Sequence, residues 1–311
     1  MSNEAHDSQA LRLLAPAKIN LALEVTGRRQ DGFHDIDTVM TTLDLADTVT
    51  LTPAAELSVS IVGSQSAGID PANDLAGRAA RALAEEAGRG EGISITVEKR
   101  IPSPAGLGGG SSDAAAVLRG LTRLWELDWP KGRLTELAAS IGSDVPFFLS
   151  GGAARCTGRG EVVHPLPDLA PLRLLILLPS GGPTEGKTAA RYEALHPHDF
   201  SDGRSSRRLA QRLARHAPPP TGDLGNVFER VIERHEPELV AHYARYSAAG
   251  APRLHLCGSG PAVFMFVHAR AQRARLRRDF EAVGATVFDA QTLGRADALA
   301  VETVEATTGE P

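Results

Sequence analysis

Between positions 102 and 113 the chain reads Pro102-Ser103-Pro104-Ala105-Gly106-Leu107-Gly108-Gly109-Gly110-Ser111-Ser112-Asp113, after which Ala114, Val117, Leu118, Leu121 and Leu124 recur at helical spacing. A glycine loop that opens a helix can cradle an anion. The glycines let a ligand approach the backbone, and the helix start presents unpaired N–H groups and the positive end of its dipole. Three consecutive glycines exceed what a helix cap requires, which favours phosphate over a plain strand-to-helix turn. The loop is no Walker A motif, because Ser111-Ser112 follow Gly110 with no lysine. A Rossmann fingerprint fails too: Ser111 stands at its last glycine and Glu126 falls on an apparent helix. Ser111 and Ser112 are placed either to cap the helix or to offer a hydroxyl to phosphate-bound Mg²⁺.

Phosphoryl transfer is mostly positioning and electrostatics, so a phosphate loop lacking its own lysine needs charge from elsewhere. Lys18 is one candidate, lying in an alternating run with Asn20 on the same face of a predicted strand. A lysine snorkelling from an edge strand is the plainer reading. Asp144, in Gly142-Ser143-Asp144-Val145-Pro146-Phe147-Phe148, is the second candidate. It leaves a short predicted helix and either holds a base near a hydroxyl or makes an Asx-type turn. Gly258-Ser259-Gly260-Pro261 is a further tight turn between two strand-like runs. His196-Pro197-His198, in a solvated stretch, is read as chance in preference to a metal site, and neither an H-E-x-x-H nor a G-x-S-x-G motif occurs.

The elements that must position these residues read as α+β. Strand-like runs at 18–25, 49–51, 57–62 and 93–97 surround a helical stretch at 73–87 that Gly88 ends, and a short helix covers 134–141. The proline at 146 argues against helix beyond 144. A continuous apolar run at 172–178 suggests a strand buried on both faces. Helical patterns at 188–195, 207–216, 227–235 and 238–246 then alternate with strand-like 254–257, 262–267 and 285–288. The segment 196–221, rich in Pro, Arg, Asp and Ser, reads as a solvated insertion with one basic helix, and the tail from Glu302 as frayed. At 311 residues the chain suggests two domains, with a boundary near 165–171.

Composition excludes several classes. Hydrophobic content of 42% and charged content of 23% are those of a globular protein, and a net charge of −5 gives no general attraction to nucleic acid or anionic membranes. Cys156 and Cys257 form no disulfide framework or zinc ribbon, no run is long enough to span a bilayer, and the polar start lacks a signal-like apolar region. A cytoplasmic location is expected.

Three segments in order, Pro16-Ala17-Lys18-Ile19-Asn20, the loop 102–112 and Gly258 to Pro261, resemble the GHMP kinase superfamily of small-molecule ATP kinases. Within it, Gly27 to Asp35 after Asn20, the loop Gly106 to Ser112 and the stretch Gly142 to Phe148 are similar to the branch that phosphorylates the 2-hydroxyl of a cytidylated methylerythritol on the methylerythritol phosphate route to isoprenoids. The resemblance implies an N-terminal domain like ribosomal protein S5 domain 2, here 11–167, and a ferredoxin-like C-terminal domain, here 168–300. It implies that Lys18 and Asp144 are the catalytic pair and that Pro102, Ser103, Pro104, Ala105, Gly106, Leu107, Gly108, Gly109, Gly110, Ser111 and Ser112 bind ATP. Asn20 then aligns the alcohol, while Phe33, His34 and Tyr192 enclose the cytosine. ATP with Mg²⁺ is the expected donor and a small cytidylated alcohol the partner, acted on by a monomer or weak homodimer. Two positions depart from the pattern: Phe33 stands where tyrosine is commoner, and Val227 replaces an acidic residue in Asn226-Val227-Phe228-Glu229.

Overall fold

Two twenty-residue strands, β1 (Gln9–Arg28) and β2 (His34–Pro53), pair as an antiparallel hairpin and form the spine of the molecule. This computed structural model describes residues 9–71, 74–90, 92–180, 187–222 and 224–305; the polar start to residue 8, Asn73 and the tail beyond 305 lie outside them. The hairpin closes where the Arg29 N–H donates to the Phe33 carbonyl at 2.8 Å and Asp31 accepts from the Phe33 N–H at 3.1 Å. Sequence alternation marked only the middle of β1, because most of the strand is buried on both faces and keeps no polar side.

β3 (Ser58–Val62), α1 (Leu75–Ala87) and β4 (Ile93–Glu98) follow. Asp74 caps α1 by accepting from the Ala76 N–H at 2.8 Å, and Gly88 ends it with φ 62°, as expected of a glycine stop. Then come α2 (Gly109–Leu124), α3 (Lys131–Ile141), α4 (Val145–Ser150), β5 (Ala153–Thr157) and β6 (Val162–Pro165). Helix α4 corrects one expectation. Pro146 sits in its first turn, where no N–H is needed, so the proline starts a new helix instead of ending order.

The second half runs β7 (Arg173–Pro179), α5 (Lys187–Glu193), α6 (Arg204–Ala214), α7 (Phe228–His235), α8 (Pro237–Ala248), β8 (His255–Leu256), β9 (Val263–Phe266), α9 (Arg270–Ala282), β10 (Ala285–Gln291), α10 (Arg295–Ala298) and β11 (Val301–Glu305). Two expectations are corrected here. The segment 196–221 is not solvated throughout: α6 buries Ser206, Leu209, Ala210 and Leu213, and the buried Asp199 is held by Arg234 at 2.6 Å. The chain at 301–305 is not frayed, since β11 pairs with the start of β1 from Gln9↔Glu305 to Leu13↔Val301.

One sheet has the order β11-β1-β2-β4-β3, with β5 paired to β2 and β6 to β5; the other is β10-β7-β9-β8. Among these pairs only β3 and β4 run parallel. Helices α1 and α2 cover the first sheet, their Ala79, Leu83, Val117 and Leu121 packing on Leu13, Leu51 and Ile95. A side chain at Gly120 would collide with Leu51 and come within 3.0 Å of Leu13, so glycine lets α2 lie directly on the sheet. The halves share a core in which Ile19, Leu21 and Val39 meet Ile176, Leu213 and Phe264. Among the described residues, no helix is long and apolar enough to cross a membrane.

Candidate active site

A cleft of about 780 Å³ opens along β1 and β2, bounded by the glycine loop, the start of α4, helix α5 and the Gly258 to Pro261 turn. At its floor the ladder between β1 and β2 is irregular on both sides of Lys18 and Asn20, with register shifts at Pro16/Lys18 and Asn20/Ala22. Such bulges re-aim side chains. Lys18 is not an edge lysine: its side chain is 5% exposed, and its N–H donates to the Leu107 carbonyl of the loop at 2.9 Å.

The Lys18 ammonium ends a chain of fixed hydrogen bonds. The Thr38 hydroxyl donates to the Ala22 carbonyl at 2.6 Å and must therefore accept from Asn20 Nδ2, at 2.8 Å. That sets the amide orientation, leaving Asn20 Oδ1 to accept from Lys18 Nζ at 2.8 Å. Asp144 Oδ2 lies 3.7 Å from the same Nζ, on a side chain that is 32% exposed. Asp144 occupies the N-cap position of α4 yet makes no side-chain cap bond, so its carboxylate is not used up in a turn. A buried cation faces a carboxylate open to the cleft.

The glycine loop forms the next wall. Gly106 and Gly108 have φ of 82° and 75°, the left-handed region that favours glycine. A side chain at Gly106 would strike the Cys257 carbonyl, and one at Gly108 would lie 2.8 Å from the Phe148 ring. The turn at Gly258 presses on the same place: a methyl there would lie 2.8 Å from the Gly106 carbonyl and 3.0 Å from Lys18 Nζ. Gly106, Gly108 and Ser111 face the cleft. Pro102, Ala105, Leu107, Gly109 and Ser112 are buried, and Ser103 and Pro104 are exposed outside it. Gly110 likewise lies off the cleft lining. Among the described residues the buried Ser112 hydroxyl has no partner, and neither serine caps α2, whose N-cap is Gly108.

At the far end stand the aromatic residues. Phe33 is 50% exposed, with the Arg159 guanidinium 4.7 Å above its ring. His34, almost buried, lies 5.3 Å from Tyr192, which packs edge-on against Phe228 at 4.8 Å. Burial, with the nearby Arg28 charge, lowers the His34 pKa, so the ring is neutral near pH 7 and offers one donor and one acceptor. Burial raises the Tyr192 phenol, which keeps its proton. Lys18, Asn20, Phe33, His34, Asp144 and Tyr192, scattered over 175 positions of the sequence, thus line one cleft.

Comparison with known proteins identifies the family. Residues 74–152 match the model of the GHMP kinases N terminal domain. A 4-diphosphocytidyl-2-C-methyl-D-erythritol kinase of Dehalococcoides mccartyi is 38% identical over 92% of this chain and all of its own length, and one of a Geobacillus species is 38% identical over 93% and all of its length. The chain belongs to the 4-diphosphocytidyl-2-C-methyl-D-erythritol kinases, within the GHMP kinases. A solved structure of such a kinase superposes with a TM-score of 0.73 at 35% identity, covering 91% of this chain and 99% of the other. A homoserine kinase from Cytophaga hutchinsonii, 15% identical, shares the fold with a TM-score of 0.69 over 98% and 100% of the two chains.

Polar cleft-lining residues of this GHMP kinase to which the sequence reading gave no role include Arg28, Thr38, Arg159, Thr188 and Glu193. Arg159 carried a usable signal, standing between two glycines in Gly158-Arg159-Gly160. A buried charged group beneath the loop escaped as well. Lys99 Nζ donates to Asp47 at 2.5 Å and to Asp113, in the first turns of α2, at 2.6 Å. Asp47 also accepts from the Arg100 and Ile101 N–H groups at 2.5 and 2.8 Å, so the loop is pinned at both ends. Burial pushes the Asp113 carboxyl well up against the pull of Lys99; burial alone would lower Lys99, but Asp113 and Asp47 outweigh it and raise it. Among the described residues, no group of three or more His, Cys, Asp or Glu could hold a metal ion.

Proposed function

We propose that this enzyme transfers the γ-phosphoryl group of ATP to the 2-hydroxyl of 4-diphosphocytidyl-2-C-methyl-D-erythritol, giving the 2-phosphate and ADP, in the supply of isoprenoid precursors. One observation carries the reading: the Lys18 and Asp144 pair lies between a glycine-lined helix start and an aromatic pocket in a single cleft. The α2 start receives the triphosphate, because its free N–H groups and dipole favour negative charge. Gly106 and Gly108, lacking side chains, leave the backbone accessible there.

The alcohol sits between Asp144 and Lys18. Asp144 orients the hydroxyl and takes its proton late, since the loose transition state asks for little basicity at the start. The Lys18 ammonium, held by Asn20, stabilises the charge that spreads over the transferred group. Asn20, with its amide orientation set by Thr38, aligns the substrate. Phe33 and Tyr192 enclose the cytosine, the neutral His34 reads its hydrogen-bonding edge, and Arg159, above Phe33, meets anionic or carbonyl oxygens.

The cleft offers oxygen donors, the Ser111 hydroxyl foremost, that would hold a nucleotide-borne Mg²⁺, a hard cation that keeps several waters. Held there, the ion would neutralise phosphate charge. Both cysteines are buried free thiols, which fits a reducing cytoplasm.

A coupled ADP assay over a substrate panel tests the proposal. Turnover of the cytidylated alcohol, and none of mevalonate or homoserine, is the expected result. Turnover of mevalonate with none of the cytidylated alcohol would overturn it.

A further inference from the structure

The seven-residue helix α5 has two working faces. Thr188 and Tyr192 front the cleft, while Arg191, 3% exposed, points away from it. An arginine buried this far must have its donors satisfied. Nε donates to Glu236 Oε1 at 2.6 Å, Nη2 to Glu236 Oε2 at 2.7 Å, and Nη1 to the Ser259 carbonyl at 2.5 Å. Glu236 stands at the junction of α7 and α8, a packed corner.

Ser259 belongs to the turn whose other side touches Lys18 and Gly106. On the cleft side the hydroxyls of Thr188 and Ser259 also meet, at 2.9 Å. The remaining bonds of the turn fix it further: Asn226 Nδ2 donates to the Gly258 carbonyl at 2.8 Å and the Tyr243 hydroxyl to the Pro261 carbonyl at 2.8 Å. One guanidinium therefore ties the base-holding wall to the wall beside the catalytic lysine.

We infer that Arg191 is a positioning residue for phosphoryl transfer, clamping α5 to the Gly258 to Pro261 turn so that Tyr192 and Lys18 keep the spacing a substrate spanning both requires. The inference rests on the cytidylated alcohol occupying this cleft. A substrate gripped at its base and reacted at its alcohol is sensitive to that spacing, because small misplacements at the reacting atoms cost rate steeply. Only a planar fork can bind the Glu236 carboxylate twice and the Ser259 carbonyl once; a lysine ammonium cannot.

The test uses the full chain and four proteins: wild type, Arg191→Lys, Arg191→Met, and Arg191→Met combined with Glu236→Met. Thermal midpoints are measured together with KM and kcat for each substrate. In Arg191→Met, kcat falls about tenfold and KM for the cytidylated alcohol rises about tenfold, with KM for ATP within about twofold of wild type. In the double variant an apolar pair replaces the ion pair, so the thermal midpoint recovers while kcat stays low. If Arg191→Met does not fold, Arg191→Lys carries the same comparison, with kcat reduced in a folded protein. Unchanged kcat and KM in a folded Arg191 variant would overturn the inference, as would recovery of kcat alongside the thermal midpoint in the double variant. A wild-type enzyme inert towards the cytidylated alcohol would instead overturn the substrate assignment, and this inference with it, before any variant is compared.

Discussion

Replacing Gly108 by alanine probes the loop at its tightest point. Gly108 has φ 75° and ψ 17°, a conformation that costs an ordinary residue about 1–2 kcal/mol. The added methyl would lie 2.8 and 2.9 Å from two carbons of the Phe148 ring and 3.1 Å from Lys18 Cγ. Phe148 is buried and held edge-on by Phe147, with ring centroids 5.1 Å apart, so it has little room to withdraw. Overpacking of this kind costs about 1–3 kcal/mol, giving a total destabilisation of about 2–5 kcal/mol. Gly110→Ala is the matched control. Among the described residues its methyl meets only Leu75, at 3.5 Å, and alanine suits a helix better than glycine by up to about 1 kcal/mol. Urea titrations and the coupled ADP assay should show Gly108→Ala with a lower unfolding midpoint and turnover reduced more than about tenfold, because the Lys18 stem must give way. Gly110→Ala should match or exceed wild type in midpoint and stay within about threefold in turnover. Equal midpoints and equal turnover in the two variants would refute the reasoning.

Other predictions concern the base pocket and one half-buried acid. Phe33→Ala removes an exposed stacking face, worth about 1–3 kcal/mol per base, so KM for the cytidylated alcohol should rise roughly 5- to 150-fold. KM for ATP and the thermal midpoint should hold, and an unchanged KM for the alcohol would remove Phe33 from the pocket. Glu229 is raised from 4.5 to about 7, first by burial. Its folded form holds the proton more tightly than its unfolded form, so its stabilising contribution is full below pH 4.5 and fades as the pH climbs through about 7. Glu229→Gln keeps the neutral form, and its stability should avoid a decline of about 1–3 kcal/mol that wild type suffers between about pH 5 and about pH 7.5. Parallel denaturant midpoints for the two proteins across that range would contradict this assignment.

Features encoded within a few residues were legible from sequence. Gly88 ends α1, and the glycines before the apolar period of α2 announce both the loop and the helix. Lys18 and Asn20 share a face because a strand alternates, and the hydrogen bond between them follows. Features that depend on distant partners were not legible. Lys99 is explained only by Asp47 and Asp113, 52 and 14 positions away. Most of β2 lacked alternation because both faces are buried, so threonines and aspartates stand among its apolar residues without marking a solvent side. Helix α9 carries five arginines in thirteen residues, and only Leu276 and Phe280 are buried, too sparse a stripe to stand out. Arg191 carries no local signal, because its two partners, Glu236 and Ser259, lie 45 and 68 positions on.

The central claim is that an alcohol meets a phosphoryl group between the carboxylate of residue 144 and the ammonium of residue 18. Asp144→Asn preserves size and leaves the glycine loop untouched. Calorimetry should find nucleotide binding by this variant as in wild type, and the coupled assay should find turnover of the cytidylated alcohol lower by at least about a hundredfold, the loss associated with a positioned acid–base group. Nucleotide binding retained with turnover undiminished would contradict the account.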